Sequence, residues 1–259
     1  MAEDQVSAAQ NRPQIRRIGP GDLGRALGRG WNDFQEKPTH AAVIGIVYPV
    51  LGLLLFWWIL DNELLPLVFP LVSGFALLGP FAALIFYEIS RRMEEGKPNG
   101  WEALSSAFRS AALGPMAALA LILAGLFIVW IWTANVIYET IMPRDPESVG
   151  DFMDLVFGTP EGTRLIVVGC LAGAVFAAVA FIISVVSFPL LLDRHVSTLT
   201  AIGTSVRAVT TNPVSMMLWG LIVVSLLVLG AIPLLVGLSV AVPVLGHATW
   251  HLYRAVVES

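Results

Sequence analysis

Long runs of apolar residues, separated by short polar segments, occupy most of the chain after about residue 40. A helix needs about 20 apolar residues to cross the ~30 Å hydrocarbon core of a bilayer. Four runs have roughly that length, and each predicts one transmembrane helix: 41–60, 64–89, 113–137 and 165–192.

A fifth apolar run, 214–253, is too long for one ordinary span. As a straight helix it would measure about 60 Å, twice the hydrocarbon thickness. The sequence GAIP, which ends at Pro233, offers a break because proline cannot continue the backbone hydrogen bonding of a helix. We predict two short spans joined by a turn, which makes six spans in all. The alternative is one long helix, kinked at Pro233 and Pro243, and five spans.

The polar segments before the first, third and fifth spans share a second pattern. Each ends in a proline, at Pro38, Pro115 and Pro213. Residues eleven, seven and four positions before the proline are mainly apolar and lie on one helix face. They are Leu27, Trp31 and Phe34, then Leu104, Phe108 and Ala111, then Ile202, Val206 and Val209. Each segment is predicted to be a short amphipathic helix at the membrane surface, followed by a transmembrane hairpin.

Together these patterns predict an all-α fold, a polytopic membrane helix bundle built from three such repeats. Composition agrees, since 13% of the residues are charged, against about 25% in a soluble domain. The single cysteine, Cys170, excludes a disulfide within the chain and a cysteine-rich metal site. The predicted organisation is a disordered cytoplasmic tail at 1–19, one transmembrane domain at 20–254 with repeats at about 20–92, 99–194 and 199–254, and a short tail at 255–259.

The charge pattern orients the predicted bundle. With a cytoplasmic N-terminus, all of the 15 basic residues except Arg144 and Arg164 lie on the inner side, as the positive-inside rule requires. The outer loop, 138–164, is acidic, and SVGDFMDLVFG within it predicts a short helix on the outer surface. The expected location is therefore an inner membrane. The few N-terminal arginines suit anionic lipid head groups, and no nucleic-acid partner is expected.

Candidate site residues cluster near the predicted inner ends of the helices. His247 and His251 are four residues apart and share one helix face. If the helix ends converge, Glu88, Asp193 and His195 join them. The cluster is either a metal or proton site, or a set of polar groups that anchors helix ends by hydrogen bonds and snorkelling. The second interpretation is favoured, so neither a resident metal nor a haem is expected.

A surface of small residues offers a second kind of contact. Gly169 and Gly173 form a GxxxG motif in the fourth predicted span, which allows two helix backbones to approach closely. Packing between hairpins of one chain is the favoured use. Docking of a membrane-complex partner or of a second copy is the alternative.

Three sequence features resemble one known family. They are GHATWHLYR at 246–254, LLLDR at 190–194 followed by the NP of 212–213, and GWNDF at 30–34. Together they are similar to the bacterial integral membrane proteins of the domain of unknown function 2189 family. The resemblance implies a bacterial inner-membrane protein with no established activity. Some members carry the label of a cytochrome c oxidase subunit, which implies an association with a respiratory oxidase.

The number and positions of the histidines indicate whether this chain could be a catalytic oxidase subunit. A catalytic oxidase subunit holds haem and copper with several histidines deep in the membrane. The four histidines here, His40, His195, His247 and His251, all lie near predicted helix ends, so only an accessory role fits. We therefore expect a non-enzymatic accessory or scaffolding membrane protein. A small-solute transporter or ion-binding protein is the alternative, since prolines and glycines break the last hairpin.

Overall fold

The computed structural model describes residues 13–36, 46–47, 49–55, 57–58, 65–67, 70–71, 83–98, 113–194, 196–233 and 235–258. Within these ranges the protein is helical, and one isolated antiparallel bridge is its sole β pairing. The predicted all-α fold is confirmed for this part of the chain. The helices are α1 (Pro20–Glu36), α2 (Leu84–Glu94), α3 (Leu113–Ile141), α4 (Val149–Gly158), α5 (Pro160–Ser184), α6 (Ser187–Asp193), α7 (Thr198–Thr211), α8 (Pro213–Ala231) and α9 (Leu238–Val256).

Three helical stretches among the described residues are long and apolar enough to cross a membrane: Leu113–Ile141, Pro160–Asp193 and Pro213–Ala231. They confirm the spans predicted at 113–137 and 165–192 and the first half of the last apolar run. Few of their side chains are buried although most are apolar, as expected for helices that face lipid. The structure describes the spans predicted at 41–60 and 64–89 only in separate pieces, so the count of six remains a prediction.

The last apolar run is broken where the sequence predicts. Helix α8 ends at Ala231, Leu235 has a left-handed φ of 66°, and α9 begins at Leu238. Two glycines close the turn, because a Cβ on Gly237 would lie 2.8 Å from the Cα of Gly230. The alternative of one long kinked helix is therefore wrong. Helix α9 is not one of the three candidate spans.

The chain divides into two compact units, and the first contains 1–49, 80–119 and 181–259. Helix α9 lies at its centre, in contact with α1, α2, α6 and α8. Two glycines allow this close packing. A Cβ on Gly30 of α1 would lie 2.5 Å from the backbone N of Ala248, and a Cβ on Gly246 would lie 2.7 Å from the Cβ of Phe86. Small residues therefore set how closely α1 and α2 approach α9.

Two of the three predicted amphipathic helices are present, as α1 and α7, but the buried face only partly matches the predicted stripe. Phe34 is buried as predicted, whereas Trp31 is 44% exposed. Small residues make up part of the buried face, where they permit close helix contact. The residues buried are Leu23, Ala26, Gly30 and Phe34 in α1, and Ala201, Thr204, Ser205 and Ala208 in α7. The second predicted helix, with Leu104, Phe108 and Ala111, lies outside the described residues.

The two termini of the first unit pair with each other. Ile15 and Val257 form the antiparallel bridge, and the Arg16 amide donates to the Val256 carbonyl at 2.8 Å. The side chain of Asn212 accepts from the Ile18 amide at 2.8 Å and donates to the Arg16 carbonyl at 3.0 Å. Residues 13–19, which the sequence places in a disordered tail, are thus held against α8 and α9. Residues 1–12 lie outside the described residues.

The second unit contains 50–79 and 120–180. The short helix predicted in SVGDFMDLVFG is present as α4, while its place on the outer surface stays a prediction. Its first turn is capped by Ser148, whose Oγ accepts from the Asp151 amide at 3.1 Å. Helix α4 packs on the adjacent ends of α3 and α5 through one apolar cluster. Its buried members are Tyr138, Met142 and Leu155, with Ile141, Phe152 and Leu165 against them.

Candidate functional site

The ends of α2, α6 and α9 meet in the first unit, and their polar side chains form one connected cluster. Four of the five residues predicted from the sequence belong to this polar cluster: Glu88, Asp193, His247 and His251. The fifth, His195, lies outside the described residues. Glu88, His247 and His251 are all buried, which places them inside the unit rather than on its surface.

Asp33 of α1 is the centre of the cluster. Its Oδ2 accepts from Ser90 Oγ of α2 at 2.5 Å and lies 2.8 Å from His251 Nε2 of α9. Ser90 Oγ also lies 2.8 Å from His247 Nδ1. Because the Ser90 hydroxyl hydrogen goes to Asp33, this network assigns the Nδ1 proton of His247 as the donor to Ser90. One carboxylate thus joins three helices.

The pKa values of the two histidines are shifted in opposite directions. Burial lowers the pKa of His247 to about 4, so its ring is neutral near pH 7. Burial also acts to lower the pKa of His251, but hydrogen bonding to Asp33 and the charge of Glu94 outweigh it and raise that pKa. His251 Nδ1 lies 3.6 Å from Glu94 Oε1. The His251 ring therefore lies between two carboxylates, which favour its protonated form.

The pKa values of the two neighbouring carboxylates, Asp33 and Glu94, are both lowered. Burial acts to raise the pKa of Asp33, but the hydrogen bonds from His251 and Ser90 outweigh it and lower that pKa. The pKa of Glu94 is also lowered, because the charges of His251 and Arg254 overcome the effect of its burial. Both acids are ionised near neutral pH. The centre of the cluster is therefore an imidazole ring between two carboxylates, next to a neutral histidine.

A series of ion pairs extends this centre to α6. Arg254 of α9 contacts Glu94 at 3.3 Å and Asp193 at 3.6 Å. The Tyr253 hydroxyl donates to Asp193 Oδ2 at 2.5 Å. The cluster therefore connects the C-terminal ends of three helices by charged groups, with α1 placed over them.

Glu88 is the buried carboxylate at the α2–α6 side of the cluster, with 1% of its side chain exposed. Its two oxygens accept from Arg91 and Arg92, each at 2.9 Å. The Arg91 guanidinium also donates to the Leu192 carbonyl of α6 at 3.2 Å. A carboxylate engaged by two guanidinium groups has few lone pairs left for a ligand. Glu88 therefore fixes the α2–α6 contact.

The combination of Ser90, His247 and Asp33 does not make a nucleophilic triad. In a triad the imidazole bridges the hydroxyl and the carboxylate, so that it can remove the hydroxyl proton. Here Ser90 is fully buried and donates directly to Asp33, while His247 Nδ1 lies 3.9 Å from the same carboxylate. This arrangement positions side chains and leaves no activated nucleophile at Ser90.

Metal binding at the two histidines is not supported by their geometry. The rings share a helix face, but Ser90 engages Nδ1 of His247 and Asp33 engages Nε2 of His251. In the part of the chain that the structure describes, no group of three or more His, Cys, Asp and Glu residues is arranged to hold a metal ion.

An open pocket of about 330 Å³ lies beside the centre of the cluster. Its floor includes Asp33 and His251, and its walls come from α1, α2 and α9. Pockets of this size take small ligands. The lining residues are Arg29, Asn32, Asp33, Glu36, Ser90, Met93, Glu94 and His251.

Gly169, the first glycine of the GxxxG motif in α5, makes no close helix contact within the described residues of the chain. A Cβ added to Gly169 would meet no atom within 4 Å. Gly173 is partly exposed, and its neighbours Leu171 and Val175 are largely exposed. The packing predicted for Gly169 and Gly173 within the chain is thus not seen at Gly169.

Three apolar membrane-length helices and a helical fold define an integral membrane protein. Residues 67–193 match the family described as "Predicted integral membrane protein (DUF2189)", and this confirms the resemblance predicted from the sequence. Of the features that suggested it, LLLDR overlaps this range, while GWNDF, NP and GHATWHLYR lie outside it. The chain matches no curated protein and no solved structure.

Sequence reasoning missed Asp33, Ser90 and Glu94. Asp33 lies within the GWNDF feature, but nothing in its local sequence indicates a partner 218 residues away. The sequence of α2 does contain a signal that could have identified Ser90 and Glu94. Both are polar and follow Glu88 at the same predicted helix end. Polar residues that continue an otherwise apolar helix indicate a buried polar contact.

Proposed function

We propose that this chain is a non-enzymatic accessory or scaffolding protein of the bacterial inner membrane, with both termini in the cytoplasm. The observation that carries the proposal is the internal pairing of the polar cluster. Asp33, Glu88 and Glu94 each engage cationic side chains of the same unit, so the charged groups hold helices together. Such a cluster gives a rigid surface for a larger membrane complex, and an accessory role beside a respiratory oxidase fits it.

The same cluster supports a six-span arrangement of three hairpins. Each predicted hairpin would end at one of the joined helix ends, α2, α6 or α9. Two amphipathic helices pack on such ends: α1 on α9, and α7 on α6. The N-terminal segment pairs with the end of α9, and this pairing supports a topology with both termini on one side of the membrane. Positive charge concentrates on that side, in agreement with a cytoplasmic location.

Reporter fusions and native purification test this proposal. A fluorescent protein fused after Ser259 should fold and emit, and alkaline phosphatase at the same position should be inactive. An active phosphatase would overturn the cytoplasmic placement. Purified in mild detergent from its own membranes, the chain should migrate with a stable partner complex. Migration as a free monomer under conditions that preserve known respiratory complexes would overturn the accessory role.

A small-solute or ion-binding function is a second candidate, and the pocket beside Asp33 and His251 favours it. A ligand that binds the folded protein raises its unfolding temperature. Mg²⁺, Ca²⁺ and spermidine are suitable probes because the carboxylates of Glu36 and Glu94 line the pocket. A rise in the wild type that Glu36→Gln abolishes would support this candidate. No rise with any of the three would count against it.

A further inference from the structure

Helix α4 has an exposed apolar face between two candidate spans. Val149, Met153 and Phe157 follow one another at intervals of four, so they lie along one side of the helix. Their side chains are 52%, 49% and 68% exposed. An exposed stripe of large apolar residues marks a surface that contacts protein or membrane.

The rest of α4 divides into two further faces. Leu155 and Val156 are buried, and Leu155 packs on Tyr138 of α3 and on Met142, the residue after α3. Asp154 is exposed on the side opposite this buried face. At 100° per residue, the apolar stripe lies between the buried face and the acidic face. A helix at a membrane surface needs these three faces, toward protein, lipid and water.

The contacts of α4 with neighbouring residues determine which way the apolar stripe of Val149, Met153 and Phe157 faces. Ser148 caps its first turn, and Arg144 pairs with Asp151 at 2.5 Å. At the other end only Thr159 separates α4 from α5, so Phe157 lies within about 10 Å of the first residue of α5. Gly162 of α5 is closely packed against the carbonyls of Leu155 and Val156. The stripe therefore cannot turn inward without breaking the apolar cluster.

We propose that the α4 stripe of Val149, Met153 and Phe157 rests on the bilayer, in the leaflet where α3 ends and α5 begins. The two spans that flank α4 in the chain also carry exposed apolar side chains near these ends, including Val136 and Ile166. An interfacial helix buries its apolar face about 5–10 Å into the boundary between head groups and acyl chains. Because α4 contains no Lys or Arg, its contact does not depend on anionic lipid.

Spin labels on neighbouring faces of α4 test the proposal in the full chain. The background is Cys170→Ala, which removes the single native cysteine. A label at Met153→Cys, in phosphatidylcholine liposomes, should collide more often with oxygen than with a water-soluble nickel complex. A label at Asp154→Cys, the matched control on the acidic face, should show the reverse. Added phosphatidylglycerol should leave both ratios unchanged.

Two results would overturn the proposal. Equal exposure of both labels to the nickel complex would place the stripe in water. Protection of the Met153→Cys label from both reagents would show that protein covers it, as in a partner complex or a second copy. A Val149→Cys label, one turn away, provides an independent measurement if Met153→Cys disturbs the fold. It should report the same preference for oxygen.

Discussion

Gly30 of α1 and Ala248 of α9 are in backbone contact, so that a Cβ on Gly30 would lie 2.5 Å from the Ala248 nitrogen and 2.7 Å from its Cα. This contact brings Asp33, one turn further along α1, within 2.8 Å of His251, one turn further along α9. The close approach of two backbones thus positions the charged centre of the polar cluster. Helix packing and electrostatics depend on the same pair of small residues.

Gly30→Ala should therefore destabilise the protein. The added methyl group meets backbone atoms, so α1 and α9 must separate, at a cost of about 1–3 kcal/mol. Thermal unfolding of the detergent-purified chain measures the loss. Gly28→Ala is the matched control, because a Cβ there meets no atom within 4 Å and alanine favours the helix by up to about 1 kcal/mol. Equal midpoints for the two variants would show that the contact does not constrain α1.

Asp33→Asn should also lower stability. The variant leaves the buried His251 ring with one carboxylate partner instead of two, which costs about 1–3 kcal/mol in the unfolding free energy. Glu36→Gln, on an exposed position of the same helix, controls for the loss of one negative charge. Unfolding midpoints in detergent compare the two. If Glu36→Gln proves as destabilising as Asp33→Asn, the contact with His251 contributes nothing specific.

Glu88→Gln tests the contact between α2 and α6. The buried amide cannot balance Arg91 and Arg92, and each weakened charge-assisted hydrogen bond costs about 1.5–3 kcal/mol. We expect a lower unfolding midpoint and faster proteolysis after α2. Glu95→Gln is the control, because Glu95 pairs with the exposed Lys97. A wild-type midpoint for Glu88→Gln would contradict a fixing role for this carboxylate.

The two histidines should give opposite pH dependence. The raised pKa of His251 means that its stabilising contribution is complete below about pH 6.5 and is lost as the pH rises through the folded value. The lowered pKa of His247 means that its contribution is complete above about pH 6.5 and is lost as the pH falls toward about 4.

Unfolding midpoints from pH 4 to 9 separate these effects. The loss of stability caused by His251→Gln should be largest at mildly acidic pH and should shrink as the pH rises. His247→Gln should instead reduce the loss of stability that the wild type shows below pH 6.5. The same pH dependence for both variants would contradict the assignment of one neutral and one charged ring.

The sequence predicts the elements whose signals are local. Apolar runs mark α3, α5 and α8, GAIP marks the break before α9, and Ser148 with the following apolar residues marks α4. These features depend on residues within one or two helical turns. Hydrocarbon thickness and backbone hydrogen bonding act on any chain in the same way, so length and composition are sufficient.

The site could be predicted only in part. The sequence indicates that Glu88, Asp193, His247 and His251 lie near helix ends, but Asp33 is far from its partners along the chain. Because His247 and His251 lie on one helix face, the sequence also suggests the same role for both. Their roles differ because one ring is surrounded by apolar groups and the other by two carboxylates, and that difference arises only from packing.

The central claim is that the polar cluster holds the helices together by direct pairing, and a double-mutant cycle on Asp33 and His251 tests it most directly. Unfolding free energies would be measured for the wild type, Asp33→Asn, His251→Gln and the double variant. We expect the double variant to lose less than the sum of the single losses, with a coupling of about 0.5–3 kcal/mol. Additive losses would contradict direct pairing as the basis of the cluster.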